Sequence, residues 1–403
     1  MRCGCARGYL YVTPRAPQDS PAAPNAEAAP NAEAAPDAEA APRSAQELRQ
    51  RFAAIEARAA AALGPPTSDD LAATVEAYVR LVRVWAHEMS PLVSAARRAA
   101  GPAFAPPGAR PAAVEARLWA CARGELSERD LLAQVGELSA AWDVAAPTLA
   151  ETPGHLAAAV ERLRAQQRVA SPAQAPAPRA DTATTAPASP ARAAQAELGQ
   201  AAADLAELDD HWFARAQARV RRALVAAGAR LELGDDIFWI PLEDAVTAAA
   251  AGAVNVDSAR AQAGAARAAH RRASAWRMPA SVGCGVPAAS ARWHGVGCGG
   301  VVRGRVRQVS ELWRLWDGTS MLPAAMTPVV AVVPAVTPAL AVALVGAAAI
   351  VSETGGLLDH GAAMARELGI PCVVGCTDAM SLPPHALVEV DGEAGVVRVL
   401  DES

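Results

Sequence analysis

The stretch from Gly318 to Ser352 contains no charged residue, and this constrains the fold more than any other feature of the chain. A stretch of this length could cross a bilayer, which takes about 20 apolar residues in a helix. Four prolines divide it, however, at Pro323, Pro328, Pro334 and Pro338. The pieces "VVAVV", "PALAVALVG" and "AAAIVS" are typical of a strand, a helix and a second strand. The stretch therefore predicts a buried β-α-β unit of a parallel sheet, in preference to a membrane span.

Much of the remaining hydrophobic content is alanine, and aromatic residues make up only 4% of the 403 residues. Alanine favours helix but buries little apolar area per residue. We therefore expect helices with modest cores, divided over two or three domains as the length allows. The formal net charge is −5, and no basic stripe with interleaved aromatic residues is present. Nucleic acid is therefore not an expected partner.

All 37 basic residues of the chain are arginines. A P-loop needs a lysine on the nucleotide phosphates, and Schiff-base chemistry needs the lysine amine, so the sequence excludes both kinds of site within this chain. The seven cysteines are scattered, without the spacing of a metal site or a disulfide framework, at Cys3, Cys5, Cys121, Cys284, Cys298, Cys372 and Cys376. With no evident signal peptide, we expect a reducing, cytoplasmic location.

Two segments rich in proline and alanine divide the chain. One carries "APNAEAAPNAEAAPDAEAAP" and belongs to an N-terminal segment, residues 1–43, and the other is a linker over residues 171–193. Because proline recurs every few residues, both are expected to be extended, disordered linkers. Apolar residues at helical spacing predict helical regions over residues 44–170 and 194–280. A capping box at Ser44–Glu47 begins the first of them.

Longer helices are predicted inside these regions. Apolar side chains three or four positions apart indicate helix over residues 69–99, 194–227 and 257–276. Between the last two, "LGDDIFWIPLEDAV" predicts a short extended apolar run, a proline and a new helix at Leu242.

Near Pro287 the pattern changes to α/β. The glycine-rich "GVGCGGVVRGRVRQV" predicts a turn and a strand, and the β-α-β unit follows it. A helix from about Gly361 to Leu368, a strand at "CVVG" and a hairpin around Asp391-Gly392 complete the pattern. The expected fold class is an N-terminal helical region followed by a C-terminal α/β domain over residues 288–403.

One histidine, His360, stands before the predicted helix in "SETGGLLDHGAAMARELGIPCVVG". Gly355 and Gly356 permit a sharp turn after a strand. A helix that begins at or just after His360 places the imidazole beside unpaired N–H groups and the positive end of the helix dipole. There a neutral imidazole can attack phosphorus, and Arg366 could pair with the resulting phosphate. Spacing alone leaves open the alternative of a helix cap or a surface histidine.

This stretch resembles the signature of the mobile, swivelling phosphohistidine domain of the phosphoenolpyruvate (PEP)-utilising enzymes. That family includes PEP synthase, pyruvate phosphate dikinase and the rifampicin phosphotransferases. The residues that match in register are Glu353, Gly355, Gly356, His360, Ala362, Ala365, Arg366, Glu367, Leu368, Gly369, Ile370 and Pro371. Thr337-Pro338 in "VVAVVPAVTPAL" is similar to the family's Thr-Pro turn, and "VEVDGEAGVVRV" is similar to its closing hairpin. The resemblance covers residues 288–403 and implies the swivelling β/β/α fold.

The resemblance implies that His360 accepts and donates a phosphoryl group. The candidate phosphate-binding residues are Gly355, Gly356, Gly361, Arg366 and Thr337. The sequence departs from the family pattern at Leu358-Asp359, where the family has Thr-Ser, and threonine-based regulation at Leu358 is therefore impossible. Asp359 could hold the tautomer of the imidazole, or raise its pKa and repel a phosphate.

Two upstream segments show weaker similarities. "ELGDDIFWIPLEDAV" is similar to the helical segment before the mobile domain in rifampicin-phosphotransferase-like members, and "GYLYVTPRA" resembles the strand that follows their ATP-grasp domain. Neither an ATP-grasp domain nor a PEP-binding barrel is recognisable in the chain, which is the larger departure from the family.

These observations predict a component of a phosphotransferase that carries phosphate on His360 between a nucleotide or PEP site and an acceptor. No cofactor or metal is expected to bind this chain directly. ATP and Mg²⁺ are expected to act through an ATP-grasp partner domain or subunit, or PEP through a PEP/pyruvate site, and no membrane partner is expected. The alternative is a catalytically inactive remnant that acts as an interaction or scaffold protein.

Overall fold

The computed structural model describes residues 2–6, 9–13, 41–65, 70–101, 114–169, 189–274, 293–308, 328–356 and 360–400. The chain forms two compact units. Unit 1 comprises Met1–Pro106, Asp143–Ala145 and Ala186–Ala275, and unit 2 comprises Pro107–Trp142, Ala146–Thr185 and Trp276–Ser403. The described part of unit 1 is largely helical, whereas that of unit 2 combines helices with a mixed sheet.

Nine α-helices lie in the described residues before position 275, after a hairpin of β1 (Arg2–Ala6) and β2 (Tyr9–Thr13). They are α1 (Ala45–Leu63), α2 (Leu71–Val84), α3 (Ser90–Ala100), α4 (Val114–Ala122), α5 (Glu128–Val135), α6 (Pro153–Val169), α7 (Pro190–Arg230), α8 (Leu242–Ala251) and α9 (Val256–Ser274). Helices α4, α5 and α6 belong to unit 2, and the others belong to unit 1.

The 41-residue helix α7 is the element around which unit 1 packs, and at 1.5 Å per residue it is about 60 Å long. Phe213 of α7 contacts two aromatic rings, with centroid distances of 5.1 Å to Trp85 and 6.2 Å to Tyr78. The indole N–H of Trp85 donates a hydrogen bond to the carboxylate of Asp209, which is buried on α7. A few aromatic side chains thus supply apolar area that the abundant alanines cannot.

Most of the helix predictions for unit 1 are confirmed. Ser44 caps α1, and its hydroxyl accepts a hydrogen bond from the backbone N–H of Glu47 at 3.2 Å. The helix predicted over residues 194–227 is α7, and the one over residues 257–276 is α9. The helix predicted over residues 69–99 is also present, but a π-helical turn at Trp85–Met89 separates α2 from α3.

The extended run predicted at "IFWI" is wrong, because Gly234–Trp239 forms a 3-10 helix. Successive side chains of a strand point to opposite faces. Ile237 and Phe238 are adjacent, yet both are buried in the same core, so a helical turn suits them better than an extended backbone.

In unit 2 the described residues form an eight-stranded mixed sheet. Its strands are β3 (Trp293–His294), β4 (Val296–Cys298), β5 (Val301–Gln308), β6 (Val329–Val333), β7 (Ala349–Ser352), β8 (Cys372–Val374), β9 (Leu387–Asp391) and β10 (Val396–Val399). The strand order is β3-β10-β9-β5-β6-β7-β8-β4. Strands β5 to β8 pair in parallel and the remaining pairs are antiparallel. The strands predicted from the sequence are confirmed.

One short segment pairs with strands near both ends of this sheet. Gly295 alone separates β3 from β4, yet β3 pairs with β10 and β4 pairs with β8. The N–H of Gly295 donates to the Gly395 carbonyl at 2.9 Å, and a Cβ at Gly295 would collide with the carbonyl oxygen of Val374. Glycine is therefore needed where the segment passes from one pairing to the other.

The buried β-α-β unit predicted from the uncharged stretch is also present. Between β6 and β7 lie a 3-10 turn (Pro338–Leu340) and the short helix α10 (Ala341–Leu344), and every residue from Pro338 to Val345 is buried. Helix α11 (His360–Leu368) connects β7 to β8. Among the described residues, none of the helices has both the length and the apolar character needed to cross a membrane.

Helices α4 and α6 contact α10 within unit 2. The guanidinium of Arg162 on α6 donates to the Val345 carbonyl at 3.2 Å. Burial lowers the pKa of Arg162 to about 9, which leaves the group charged at neutral pH. The buried hydroxyl of Thr337 donates to the carbonyls of Ser139 and Ala140 at 3.4 and 3.3 Å.

The compact units divide the predicted helical region 44–170, because α4 and α6 contact the α/β part of the chain at α10. The two predicted linkers fall largely outside the described residues, as does the predicted junction between residues 280 and 288. The domain boundaries given by the sequence therefore stay predictions.

Replacing Thr337 by valine tests the contact between the helical and α/β parts of unit 2. The substitution keeps the shape of the side chain but leaves the Ser139 and Ala140 carbonyls without their hydroxyl donor, so we expect a loss of about 1 kcal/mol in unfolding free energy. Urea unfolding measures it. The matched control is Thr354→Val, because the exposed Thr354 hydroxyl also donates to a carbonyl, that of Pro334, which water can reach. Equal losses in the two variants would contradict a buried contact at Thr337.

Candidate active site

The parallel strands β6, β7 and β8 all finish at the same end of the sheet. Backbone hydrogen bonds there connect residues that follow one strand to the last residue of the neighbouring strand. The N–H of Glu353 donates to the Val333 carbonyl at 2.9 Å. The N–H of Cys376 donates to the Ser352 carbonyl, also at 2.9 Å. In α/β sheets the loops that follow parallel strands commonly form ligand sites. The bonds fix three such loops beside one another.

Two glycines let the loops after β7 and β8 approach closely. Gly355 has φ 117°, a backbone conformation that side chains disfavour. Gly375 has φ 62°, and a Cβ there would lie 2.7 Å from the carbonyl oxygen of Gly355. The sequence singled out Gly355 but missed Gly375, although a glycine directly after the strand "CVVG" was a usable signal for a tight turn.

Helix α11 begins at His360, where the sequence predicted a helix start. Gly361, the next residue, packs tightly: a Cβ there would lie 2.9 Å from Val336 Cγ2 and 3.3 Å from Val374 Cγ1. The first turn of α11 therefore rests on the residues that follow β6 and on the end of β8. The first backbone N–H groups of a helix have no intrahelical acceptor, and they carry the positive end of its dipole. The backbone of His360 is thus fixed at a position suited to binding an anion.

Apart from His360, the predicted site residues form two groups. One consists of the glycines, and the other of Thr337 and Arg366, whose side chains already contact other groups. Gly355 and Gly361 lie near the start of α11, and a Cβ at Gly356 would meet no atom within 4 Å. Thr337 follows Val336, which contacts Gly361, but its hydroxyl is already engaged with Ser139 and Ala140. A phosphate contact by Thr337 would require this hydroxyl to leave the two carbonyls.

Arg366 lies in the last turn of α11, six residues after His360 and about 9 Å away along the helix axis. Its guanidinium interacts with the thiol of Cys298. The pKa of Cys298 is lowered to about 7, first because the Cys372 thiol hydrogen-bonds to it and then because of the positive charge of Arg366. In this arrangement Arg366 faces a pair of thiols at the C-terminal part of the helix.

Cys376 lies near the carboxylates of Glu353 and Asp378, a proximity that the sequence did not predict. Burial raises the pKa of Cys376 to about 12, and the nearby carboxylates of Glu353 and Asp378 add to the effect. Glu353 was noted only as a match to the family pattern, and nothing in the sequence connected it with Cys376. The Cys376 thiol is therefore protonated at neutral pH and is a weak nucleophile.

Among the described residues, no group of three or more His, Cys, Asp or Glu side chains is arranged so that it could hold a metal ion. The favourable interactions for an anion at the start of α11 are those of backbone N–H groups. Such groups bind phosphate without a metal at many helix N-termini.

Residues 326–395 match the family model of the PEP-utilising enzyme, mobile domain. The match contains β6, β7, β8, β9, α10 and α11, and with them every candidate site residue. The resemblance noted in the sequence to the mobile domain of the PEP-utilising enzymes is therefore confirmed over these residues. The fold class predicted for the chain, helical followed by α/β, is confirmed as well.

Several curated proteins resemble parts of the chain. An uncharacterized protein of Mycobacterium tuberculosis is 37% identical over 207 residues, which span 47% of this chain and 22% of that protein. The PEP synthase of Aeropyrum pernix is 56% identical over 52 residues, 13% of this chain and 6% of the enzyme. The PEP synthase of Pyrococcus furiosus is 38% identical over 104 residues, 26% of this chain and 11% of the enzyme. The chain thus spans less than a quarter of the length of each of these relatives.

Gly361→Ala should destabilise unit 2, because its Cβ would press against Val336 and Val374. Overpacking of this kind costs about 1–3 kcal/mol. Helix propensity favours alanine over glycine by up to about 1 kcal/mol, so a net loss must come from the close contact. The matched control is Gly356→Ala, whose Cβ enters open space and should change the unfolding free energy by less than about 0.5 kcal/mol. Urea unfolding of both variants measures the difference. A Gly361→Ala protein as stable as the wild type would contradict the packing described here.

Proposed function

We propose that this mobile domain carries a phosphoryl group on His360 between a nucleotide or PEP site and an acceptor. The observation that supports the proposal most strongly is the position of His360. It is the first residue of α11, it adjoins the loops that follow three parallel strands, and it lies within the part of the chain that matches the mobile-domain family. A histidine with these three features is well placed to receive a phosphoryl group.

The chemistry follows from that position. A neutral imidazole nitrogen attacks an electrophilic phosphorus, and the bond from phosphorus to the donor's leaving oxygen breaks. The phosphoryl oxygens then carry negative charge beside the N-terminus of α11. Backbone N–H groups and the helix dipole stabilise this charge and require little rearrangement when it forms.

Backbone groups are the proposed phosphate ligands. Gly355, Gly356 and Gly361 have no side chain to block the approach of phosphate oxygens to N–H groups near the start of α11. Arg366 is proposed as a weaker contributor, because it lies about two turns along the helix and interacts with Cys298. Thr337 is proposed to support the turn beside the site through its bonds to Ser139 and Ala140.

The donor is proposed to be bound by a partner, in a separate chain or in another part of a longer protein. Two of the relatives above are named as PEP synthases, and each is far longer than the segment it shares with this chain. Transfer from ATP needs Mg²⁺ and cationic groups around the triphosphate. We infer an ATP-grasp partner with ATP and Mg²⁺, or a PEP site, and the acceptor is the group that the mobile domain meets after it leaves the donor.

The central prediction is that His360 becomes phosphorylated. The protein is incubated with radiolabelled ATP, Mg²⁺ and a PEP synthase as donor enzyme, and the label is expected to be acid-labile and base-stable. His360→Ala should abolish labelling with unchanged circular dichroism. The matched control is His294→Ala in strand β3, which removes an exposed histidine from the same sheet and should keep at least half of the label.

Either of two results would contradict this proposal. Label that survives in His360→Ala would assign phosphate to another residue. A wild-type protein that stays unlabelled with this enzyme, and also with nucleotide-binding proteins encoded beside it, would favour the alternative of an inactive interaction or scaffold protein. The replacement of Thr-Ser by Leu358-Asp359 is the sequence feature that favours this alternative.

A further prediction is that the chain alone does not bind ATP tightly. It has no lysine, and the stretch before residue 288 contains no glycine-rich phosphate loop followed by a basic residue. Isothermal titration calorimetry of residues 1–403 with millimolar ATP and Mg²⁺ should therefore show no saturable heat. Addition of the partner should restore labelling of His360 but not of His360→Ala. Micromolar binding of ATP by this chain alone would reveal a nucleotide site and contradict the proposed division of labour.

A further inference from the structure

Two cysteines that are far apart in the sequence face each other in the sheet of unit 2. Cys298 is the last residue of β4, Cys372 is the first residue of β8, and the two are directly opposite in an antiparallel pair. Their sulfur atoms are 2.9 Å apart. Residues opposite each other on antiparallel strands have Cα atoms about 4.5–5.5 Å apart, which lies within the usual disulfide range of about 4.4–6.8 Å.

We propose that Cys298 and Cys372 form a reversible dithiol–disulfide site, oxidised by peroxides and reduced by dithiols. The backbone already meets the geometric requirement, and the two sulfur atoms need to approach by about 0.9 Å to reach the bond length of about 2.05 Å. This proposal does not rest on the phosphoryl chemistry proposed for His360, although Arg366 takes part in both proposals.

The surroundings give the two thiols different roles. Cys298 is half-buried on its strand and interacts with the Arg366 guanidinium, which favours the thiolate. The lowered pKa of Cys298 increases the share of its thiolate form at neutral pH relative to an ordinary cysteine. Cys372 is fully buried, and its pKa is raised because Cys298 hydrogen-bonds to it and burial disfavours its charged form. Cys298 is therefore the attacking thiol and Cys372 the resolving thiol.

The reaction balances with hydrogen peroxide as the oxidant. The Cys298 thiolate attacks one peroxide oxygen, the O–O bond breaks, and the second oxygen leaves as hydroxide, which is protonated to water. The product is a sulfenic acid at Cys298. The Cys372 sulfur then attacks the Cys298 sulfur, and the sulfenic hydroxyl leaves with the proton of Cys372 as a second water. Two thiols lose two electrons in total, and one peroxide becomes two waters.

Two other cysteines whose side chains the structure describes, Cys121 and Cys376, lack this arrangement. Cys121 is buried on α4, and its pKa is raised, first by burial and then by the nearby Glu128. Cys376 is buried beside Glu353 and Asp378, which also raise its pKa. Of the four cysteines at positions 121, 298, 372 and 376, Cys298 is the one whose pKa is lowered. Cys376 therefore offers a matched internal control, because it lies only four residues after Cys372.

The test is peptide mapping of the full chain after brief treatment with hydrogen peroxide and alkylation of the remaining thiols. Trypsin cleaves after arginine, so Cys298 falls in the peptide Trp293–Arg303, and Cys372 and Cys376 fall together in Glu367–Arg398. We expect a disulfide-linked pair of these peptides that tandem mass spectrometry assigns to Cys298 and Cys372, and dithiothreitol should separate it.

Variants sharpen the assignment. Cys298→Ser and Cys372→Ala should each abolish the linked pair, whereas Cys376→Ala should retain it at more than half of the wild-type yield. The wild-type map decides the question even where a core substitution impairs folding. A link from Cys298 to Cys376, or oxidation of Cys298 to sulfinic acid without any link in the wild type, would overturn the proposal.

Discussion

The backbone hydrogen bonds that join the ends of β6, β7 and β8 are the constraint on which the site depends. They hold the segment after β7 against β6 and the segment after β8 against β7, with Glu353 bonded to Val333 and Cys376 bonded to Ser352. Helix α11 starts from this edge, and its second residue has no space for a side chain. The position of His360 is therefore set by backbone contacts, which tolerate changes in surface side chains far better than a site built from long polar residues.

The order of elements in the α/β part could be predicted because each signal was local. Pro328 and Pro334 flank β6, Pro338 begins the 3-10 turn before α10, and Gly355 and Gly356 indicate the turn after β7. The extended run predicted at residues 237–240 failed for a tertiary reason. A strand with one buried face would bury only one of two adjacent side chains, whereas Ile237 and Phe238 are both buried in the core of unit 1.

Contacts between residues distant in sequence could not be predicted. Thr337 bonds to Ser139 and Ala140, almost 200 positions earlier, and the sequence offered only a resemblance to a phosphate-binding turn. Cys298 and Cys372 are 74 positions apart, and their spacing matches no metal or redox motif. The sequence offered Arg366 only as a candidate phosphate contact, and nothing in it indicated the contact with these thiols. Tertiary packing, which composition does not encode, decided each case, and for the cysteine pair the deciding feature was the register between β4 and β8.

A charge argument connects these findings to the proposed function. A phosphoryl group bound to a side chain carries about −1.5 to −2 charges at neutral pH, whereas a helix N-terminus supplies the equivalent of about +0.5. Arg366 lies in the last turn, where a cation also complements the negative end of the helix dipole. The N-terminus of α11 alone therefore leaves much of the phosphoryl charge uncompensated. In the proposed mechanism, the positive charge that balances the rest of the phosphoryl group comes first from the donor site and then from the acceptor site. A phosphorylated domain is therefore attracted to whichever of the two sites presents Mg²⁺ or arginine. A carrier that neutralised its own phosphate fully would bind it more tightly and release it more slowly.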